Sequence, residues 1–217
     1  MRCAIHKQTY ADGRAYRYHI LDETGALCTI AEPTGLLLPT PTRLVEFFDP
    51  EHNLVGRLRP PAVAPWRRGT RYEISVGDPE EPCAVIQERW RLVDMLLLRP
   101  PRYKVQVGEQ CYVAQGSRYG ESYYEIFLLG GEEGNEEGVD EEGVDEEGVK
   151  EEEVGEEGAN EVRERARGKK VGWIQRPTAG PNYVVETDAA PLLQAPDVLI
   201  RIVLAALVVL IDMELHA

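Results

Sequence analysis

Short runs of alternating apolar and polar residues, each broken at Gly, Pro, Asp or Asn, dominate the chain from residue 16 to residue 127. Residues 16–21 give way to Asp22-Glu23-Thr24-Gly25 and resume at 26–30. Residues 43–48 give way to Asp49-Pro50-Glu51-His52-Asn53 and resume at 54–58. The same happens at 71–76 and 83–90 around Gly77-Asp78-Pro79-Glu80-Glu81-Pro82, and at 103–107 and 111–115 around Gly108-Glu109-Gln110. Turn residues supply the positive or fixed φ that a reversal requires, so each unit reads as a β-hairpin. Alternation at Tyr72, Ile74 and Val76, and at Val105 and Val107, is that of strands with one face turned inward. Prolines 60, 61, 65, 100 and 101 fall between the units, where they interrupt no central strand. Hairpins at this regular spacing predict an antiparallel barrel or sandwich. Further strands are expected at 123–129, 170–175 and 183–186.

The pattern changes near the C-terminus. Between Val198 and Ile211 the only polar residue is Arg201. A helix with no polar face must be buried in protein or in lipid. Pro196 and Asp197 suit a helix start, and Asp212 and Glu214 end the apolar run. The uninterrupted part, 202–211, falls well short of the roughly twenty residues that cross a bilayer. The expectation is therefore a buried core helix over about 189–212. The alternative is a tail-anchored membrane protein with a cytoplasmic β-domain. An all-apolar helix after a series of hairpins fits a closed antiparallel barrel whose lumen the helix fills.

Charge alters this picture at one place. The net charge is -14, yet residues 132–161 hold sixteen Asp or Glu and a single basic residue, Lys150. That segment sums to -15 and leaves the remainder at +1, so the acidic balance says nothing about the partners of the folded part. Its period-five repeat, EEGVDEEGVDEEGV at the centre, combines frequent glycine with dense like charge, which opposes ordering. A disordered insertion at 131–162 within one domain, 1–217, is expected. Because strands are expected on both sides, the insertion takes the place of a hairpin turn, and loop closure tolerates such length.

Four segments, YRYHILDETGALCTI, RLVEFFDPEHNLVGRLR, RYEISVGDPEEPCAVIQERW and TDAAPLLQAPDVLIRIVLAALVVLID, together resemble the tubby C-terminal-like superfamily. That superfamily includes the plant LURP-one-related proteins and the phospholipid scramblases. The resemblance covers about residues 10–130 and 165–215. It implies a mainly β fold, a closed antiparallel barrel of hairpins around a buried hydrophobic C-terminal helix. It carries over no site. The basic pair with which tubby proteins bind phosphoinositides maps onto no position here, and neither does the cysteine cluster or the calcium segment of scramblases.

The residues suggest little chemistry. Cys3, Cys28, Cys83 and Cys111 form no CxxC pair, and with four scattered histidines no metal-ligand spacing arises. They read as reduced thiols of a cytoplasmic protein, since 1–7 is no signal peptide. A Cys–His nucleophile pair drawn from His19 and Cys28 is weighed against small core residues, and the core reading is preferred. Asp22, Asp49 and Asp78 are expected to bond the backbone of their own turns. No nucleotide fingerprint or phosphate loop occurs, so no cofactor and no enzymatic activity are expected. The one candidate contact surface is basic: Arg57, Arg59, Arg67, Arg68 and Arg71, with Trp66 among them, suited to anionic head groups because arginine forks phosphate oxygens. With the remainder near +1, nucleic acid is not an expected partner. The function expected is that of a noncatalytic binding or scaffold module, touching phospholipid head groups or a protein partner.

Overall fold

The computed structural model describes residues 1–10, 15–34, 44–60, 71–77, 82–89, 100–116, 123–129, 168–176, 182–188 and 196–215. Within them the strands are β1 Arg2–Tyr10, β2 Ala15–Leu21, β3 Leu27–Thr34, β4 Leu44–Phe48, β5 Leu54–Arg59 and β6 Arg71–Val76. They continue with β7 Ala84–Arg89, β8 Arg102–Val107, β9 Gln110–Gly116, β10 Tyr124–Leu128, β11 Lys169–Gln175 and β12 Asn182–Thr187, and the helix α1 spans Asp197–Leu215. Each strand pairs antiparallel with its neighbours in sequence, and β1 pairs with β12 as well as β2, closing a twelve-stranded barrel. Closure leaves no free sheet edge for another chain to extend.

The hairpins expected from the sequence are present, and the turn aspartates act as expected where they are described. Asp22 Oδ1 accepts from Thr24 N at 2.8 Å, Thr24 Oγ1 at 2.6 Å and Ala26 N at 3.0 Å. Asp49 does the same for Asn53, whose backbone N–H lies 2.7 Å from Oδ1 and whose side-chain amide donates to Oδ2 at 2.9 Å. Gly25, at φ +84°, takes the left-handed position that ends the first of these turns. Asp78 lies outside the described residues.

Inward positions alternate along most strands, with successive buried residues at Thr29, Ile30 and Ala31 of β3 and at Val171 and Gly172 of β11, and α1 fills the space they enclose. Ile200, and every residue from Ile202 to Met213, is buried, while Arg201 is only partly so. The segment expected as either a core helix or a membrane anchor is thus a core helix; among the described residues no helix is long and apolar enough to cross a membrane. Burial of each large side chain contributes about 1.5–3 kcal/mol. The fit is close at Gly56, where a β-carbon would lie 2.8 Å from Ile202 Cδ1 and 2.8 Å from the Ser75 carbonyl oxygen.

Two expectations need correction. The barrel has a first strand, β1, that the alternation did not reveal, because its inward residues run Cys3, Ile5, Lys7 and so include a cation. The helix runs through Leu215 rather than ending at 212, and its described start is Asp197 rather than 189. Asp212 does not terminate it, since this carboxylate is buried and fully partnered inside the lumen. Residues 189–195 lie outside the described residues.

Strand direction gives the barrel two distinct rims. At the turn rim lie the 22–26 and 49–53 turns, the β8–β9 turn at Gly108 and the first turn of α1. The opposite rim, the loop rim, is where β1, β3, β5, β7, β9 and β11 end, β2, β4, β6, β8, β10 and β12 begin, and α1 has its C-terminal end. β10 and β11 are direct partners, Leu128 opposite Lys169, with residues 130–167 between them in sequence. The acidic repeat expected to be disordered falls within this stretch, outside the described residues.

Candidate functional site

Because successive strand residues face opposite sides, burying Leu58, Tyr72, Glu88 and Tyr103 in the wall turns their neighbours outward. At the loop-rim ends of β5 to β8 those neighbours are arginines. Arg59 closes β5, Arg71 opens β6, Arg89 closes β7 and Arg102 opens β8. Antiparallel register gathers them, with Arg59 opposite Glu73, Arg71 opposite Gln87, and Arg89 directly opposite Arg102. Lys104, opposite Gln87, and Arg57, opposite Ser75, extend the same outer face. On this wall six basic side chains stand against Glu46 and Glu73 among the described residues.

The basic residues expected as a contact surface fare differently. Arg59 and Arg71 lie on adjacent strands at the exposed rim of this wall. Arg71 Nε approaches Glu73 Oε1 at 3.8 Å, a loose surface pair. Arg57 is farther from the rim, half-buried, and donates from Nε to Glu46 Oε1 at 3.2 Å. Arg67 and Arg68 lie outside the described residues. Sequence reasoning missed Arg89, Arg102 and Lys104, although the alternation of Gln87 and Arg89 around Glu88, and of Arg102 and Lys104 around Tyr103, marks them as outward. The wall's field reaches β9: burial pushes the Cys111 thiol pKa up, and Lys104 and Arg89 pull against it.

A second cluster lies inside the lumen toward the loop rim. Asp212 accepts from Lys7 Nζ at 2.6 Å, Tyr18 OH at 2.7 Å and Tyr183 OH at 2.6 Å. Burial pushes its pKa up, but the hydrogen bonds from Lys7, Tyr183 and Tyr18 outweigh it and hold the carboxyl below the usual range. Burial and the Asp212 carboxylate push both phenols far above the ordinary tyrosine range, so they remain donors. Lys7 also lies 4.4 Å above the Tyr16 ring, and Arg176 lies 6.0 Å from that of Tyr183. The three bonds to Asp212 tie β1, β2 and β12 to α1, which makes the cluster an anchor.

The tyrosines had a sequence signal. Tyr18, Tyr72, Tyr103, Tyr124 and Tyr183 are all fully buried, each on an even-numbered strand, and an aliphatic residue follows each two positions on: Ile20, Ile74, Val105, Ile126 and Val185. Tyr124 OH donates to the Pro101 carbonyl at 3.2 Å.

Among the described residues the sulfur and imidazole groups form no reactive pair. Cys28 Sγ meets the Ala26 carbonyl oxygen at 3.5 Å, and His19 faces outward from β2 with its pKa lowered by burial, Arg17 and His6. Among the described residues no three His, Cys, Asp or Glu side chains are placed to hold a metal ion.

No family model and no curated protein matches the sequence. A solved X-ray structure of a protein from Arabidopsis thaliana, AT5G01750, aligns with a TM-score of 0.48 at 13% identity over 100% of this chain and 92% of that one.

Proposed function

We propose that the chain is a noncatalytic binding module on a tubby C-terminal-like barrel, cytoplasmic and peripheral to the membrane, whose basic wall docks on anionic phospholipid head groups. The observation that carries this reading is the convergence of Arg59, Arg71, Arg89 and Arg102 from four adjacent strands onto one outward face at the loop rim. Guanidinium forks match phosphate oxygens, and each basic residue near an anionic bilayer contributes about 1 kcal/mol. The lumen is occupied by α1, which favours the outer surface as the place of binding. The buried polar groups of the Asp212 cluster hold one another in fixed protonation states, which favours a structural role for them over a catalytic one.

Vesicle flotation tests the proposal. Full-length protein should float with phosphatidylserine-containing vesicles at low salt, stay down with pure phosphatidylcholine, and be released by high salt. The Arg59→Glu/Arg71→Glu/Arg89→Glu variant should stay down throughout. Flotation of that variant like the unaltered chain would sink the assignment of the wall. Unaltered protein that never floats would sink the lipid reading and leave an acidic protein surface as the partner.

A further inference from the structure

Arg201 is the only charged residue between Val198 and Ile211, and it belongs neither to the basic wall nor to the Asp212 anchor. It lines a cavity of about 280 Å3 at the turn rim, whose walls include Cys3, Ile20 and Leu21. The volume is just below the usual range for ligand pockets and suits only a small molecule.

The guanidinium is poorly matched by the protein around it. Its five N–H donors form a fixed fork suited to a carboxylate. Among the described residues its only ion pair is with Asp197 Oδ2, at 3.9 Å, and that carboxylate is 75% exposed. The other carboxylates at the cavity are engaged elsewhere. Asp22 accepts from Thr24 and Ala26 within its turn, and Glu23 Oε1 accepts from Arg2 N at 2.9 Å. Cys3 supplies no negative charge either, because burial pushes its thiol pKa up to about 11 despite the pull of Arg201. A half-sequestered guanidinium without a close partner among the described residues thus faces a cavity whose lining is apolar at Ile20 and Leu21 and polar at Arg2, Asp22, Glu23 and Thr24.

We infer that this cavity binds a small organic monocarboxylate, its carboxylate forked by Arg201 and its short apolar body packed against Ile20 and Leu21. The site is at the opposite rim from the basic wall and does not depend on lipid binding there.

Hexanoate is the probe, titrated into full-length protein carrying 13C-labelled Ile and Leu methyl groups. The Ile20 and Leu21 methyl resonances should shift saturably. Hexanamide, which keeps the shape but not the charge, should bind at least about tenfold more weakly. Arg201→Gln should reduce hexanoate to the affinity of the amide, and Arg201→Lys should retain part of it, as a point charge without the fork. The inference fails if those methyl groups do not shift saturably, if amide and carboxylate bind alike, or if folded Arg201→Gln binds hexanoate as well as the unaltered chain. Should Arg201→Gln not fold, the comparison of hexanoate with hexanamide on the unaltered protein decides alone.

Discussion

Arg201 and Asp212 sit on the lumen helix about 16 Å apart along its axis, and the barrel treats them in opposite ways. Asp212 is 1% exposed and receives three hydrogen bonds of 2.6–2.7 Å from three different strands. Arg201 has a side chain 30% exposed and, among the described residues, one ion pair, at 3.9 Å and within its own helix. Removing a carboxylate from water costs several kcal/mol unless its lone pairs are met, and the lumen meets them at one end only. The difference separates a charge that holds the fold together from one that the fold merely tolerates. At the Asp212 end the electrostatics are complete and tie α1 to the first and last strands of the barrel. At the Arg201 end they are open, facing a cavity.

The contrast predicts its largest effect at Asp212. Asp212→Ala should destabilise the protein by about 3–5 kcal/mol in chemical denaturation, since it strands Lys7 and two buried phenols. Lys7→Met should cost a similar amount by stranding the carboxylate. Joining the changes as Lys7→Met/Asp212→Leu should recover a substantial part, because an apolar pair of similar volume often replaces a buried ion pair at little cost. What is not recovered belongs to Tyr18 and Tyr183, about 1–3 kcal/mol for each hydroxyl left without an acceptor. Strictly additive losses in the double variant would mean that the lysine and the carboxylate are not one unit.

The pH dependence should also belong to the Asp212 end. Its folded pKa lies below the unfolded value, so its contribution is full above roughly pH 4 and disappears as pH falls through the folded pKa. For Tyr18 and Tyr183 the folded values lie above the unfolded one, so their contribution is full below roughly pH 10 and is lost as pH rises. Denaturation midpoints measured across pH should therefore fall at both extremes. Asp212→Asn should flatten the acid limb; an unchanged acid limb would place the relevant carboxylate elsewhere.

These two ends also explain what could be read from the sequence. The hairpins were legible because turn chemistry is local: Asp22 and Asp49 bond within four residues of themselves. The lumen helix was legible because ten successive apolar residues leave it no solvent face. The first strand and the true end of the helix were not, and for a shared reason. Lys7 breaks the alternation of β1, Asp212 breaks the apolar run of α1, and each is acceptable only because the other lies 2.6 Å away. Two residues 205 positions apart cannot announce that pairing in either local pattern. The basic wall was half legible. Arg59 and Arg71 belong to a visible cluster, but Arg89 and Arg102 become neighbours only through β7–β8 register.

The smallest effect should come from Arg201, and its smallness is the sharpest check on the comparison. An exposed i,i+4 pair is worth about 0.3–0.5 kcal/mol, and at 3.9 Å with a mostly solvated carboxylate this one lies at the weak end. Against that loss stands the cost of holding a guanidinium partly out of water without a close partner. Methionine keeps most of the aliphatic stem and needs no solvation. Arg201→Met should therefore change stability by no more than about 0.5 kcal/mol in either direction, in denaturant titration without added carboxylate. With excess hexanoate the balance should tip: the unaltered protein gains stability by mass action, and Arg201→Met does not. A loss above about 2 kcal/mol without ligand would show that Arg201 is as deeply committed to the fold as Asp212, and the two ends of the helix would no longer be different in kind.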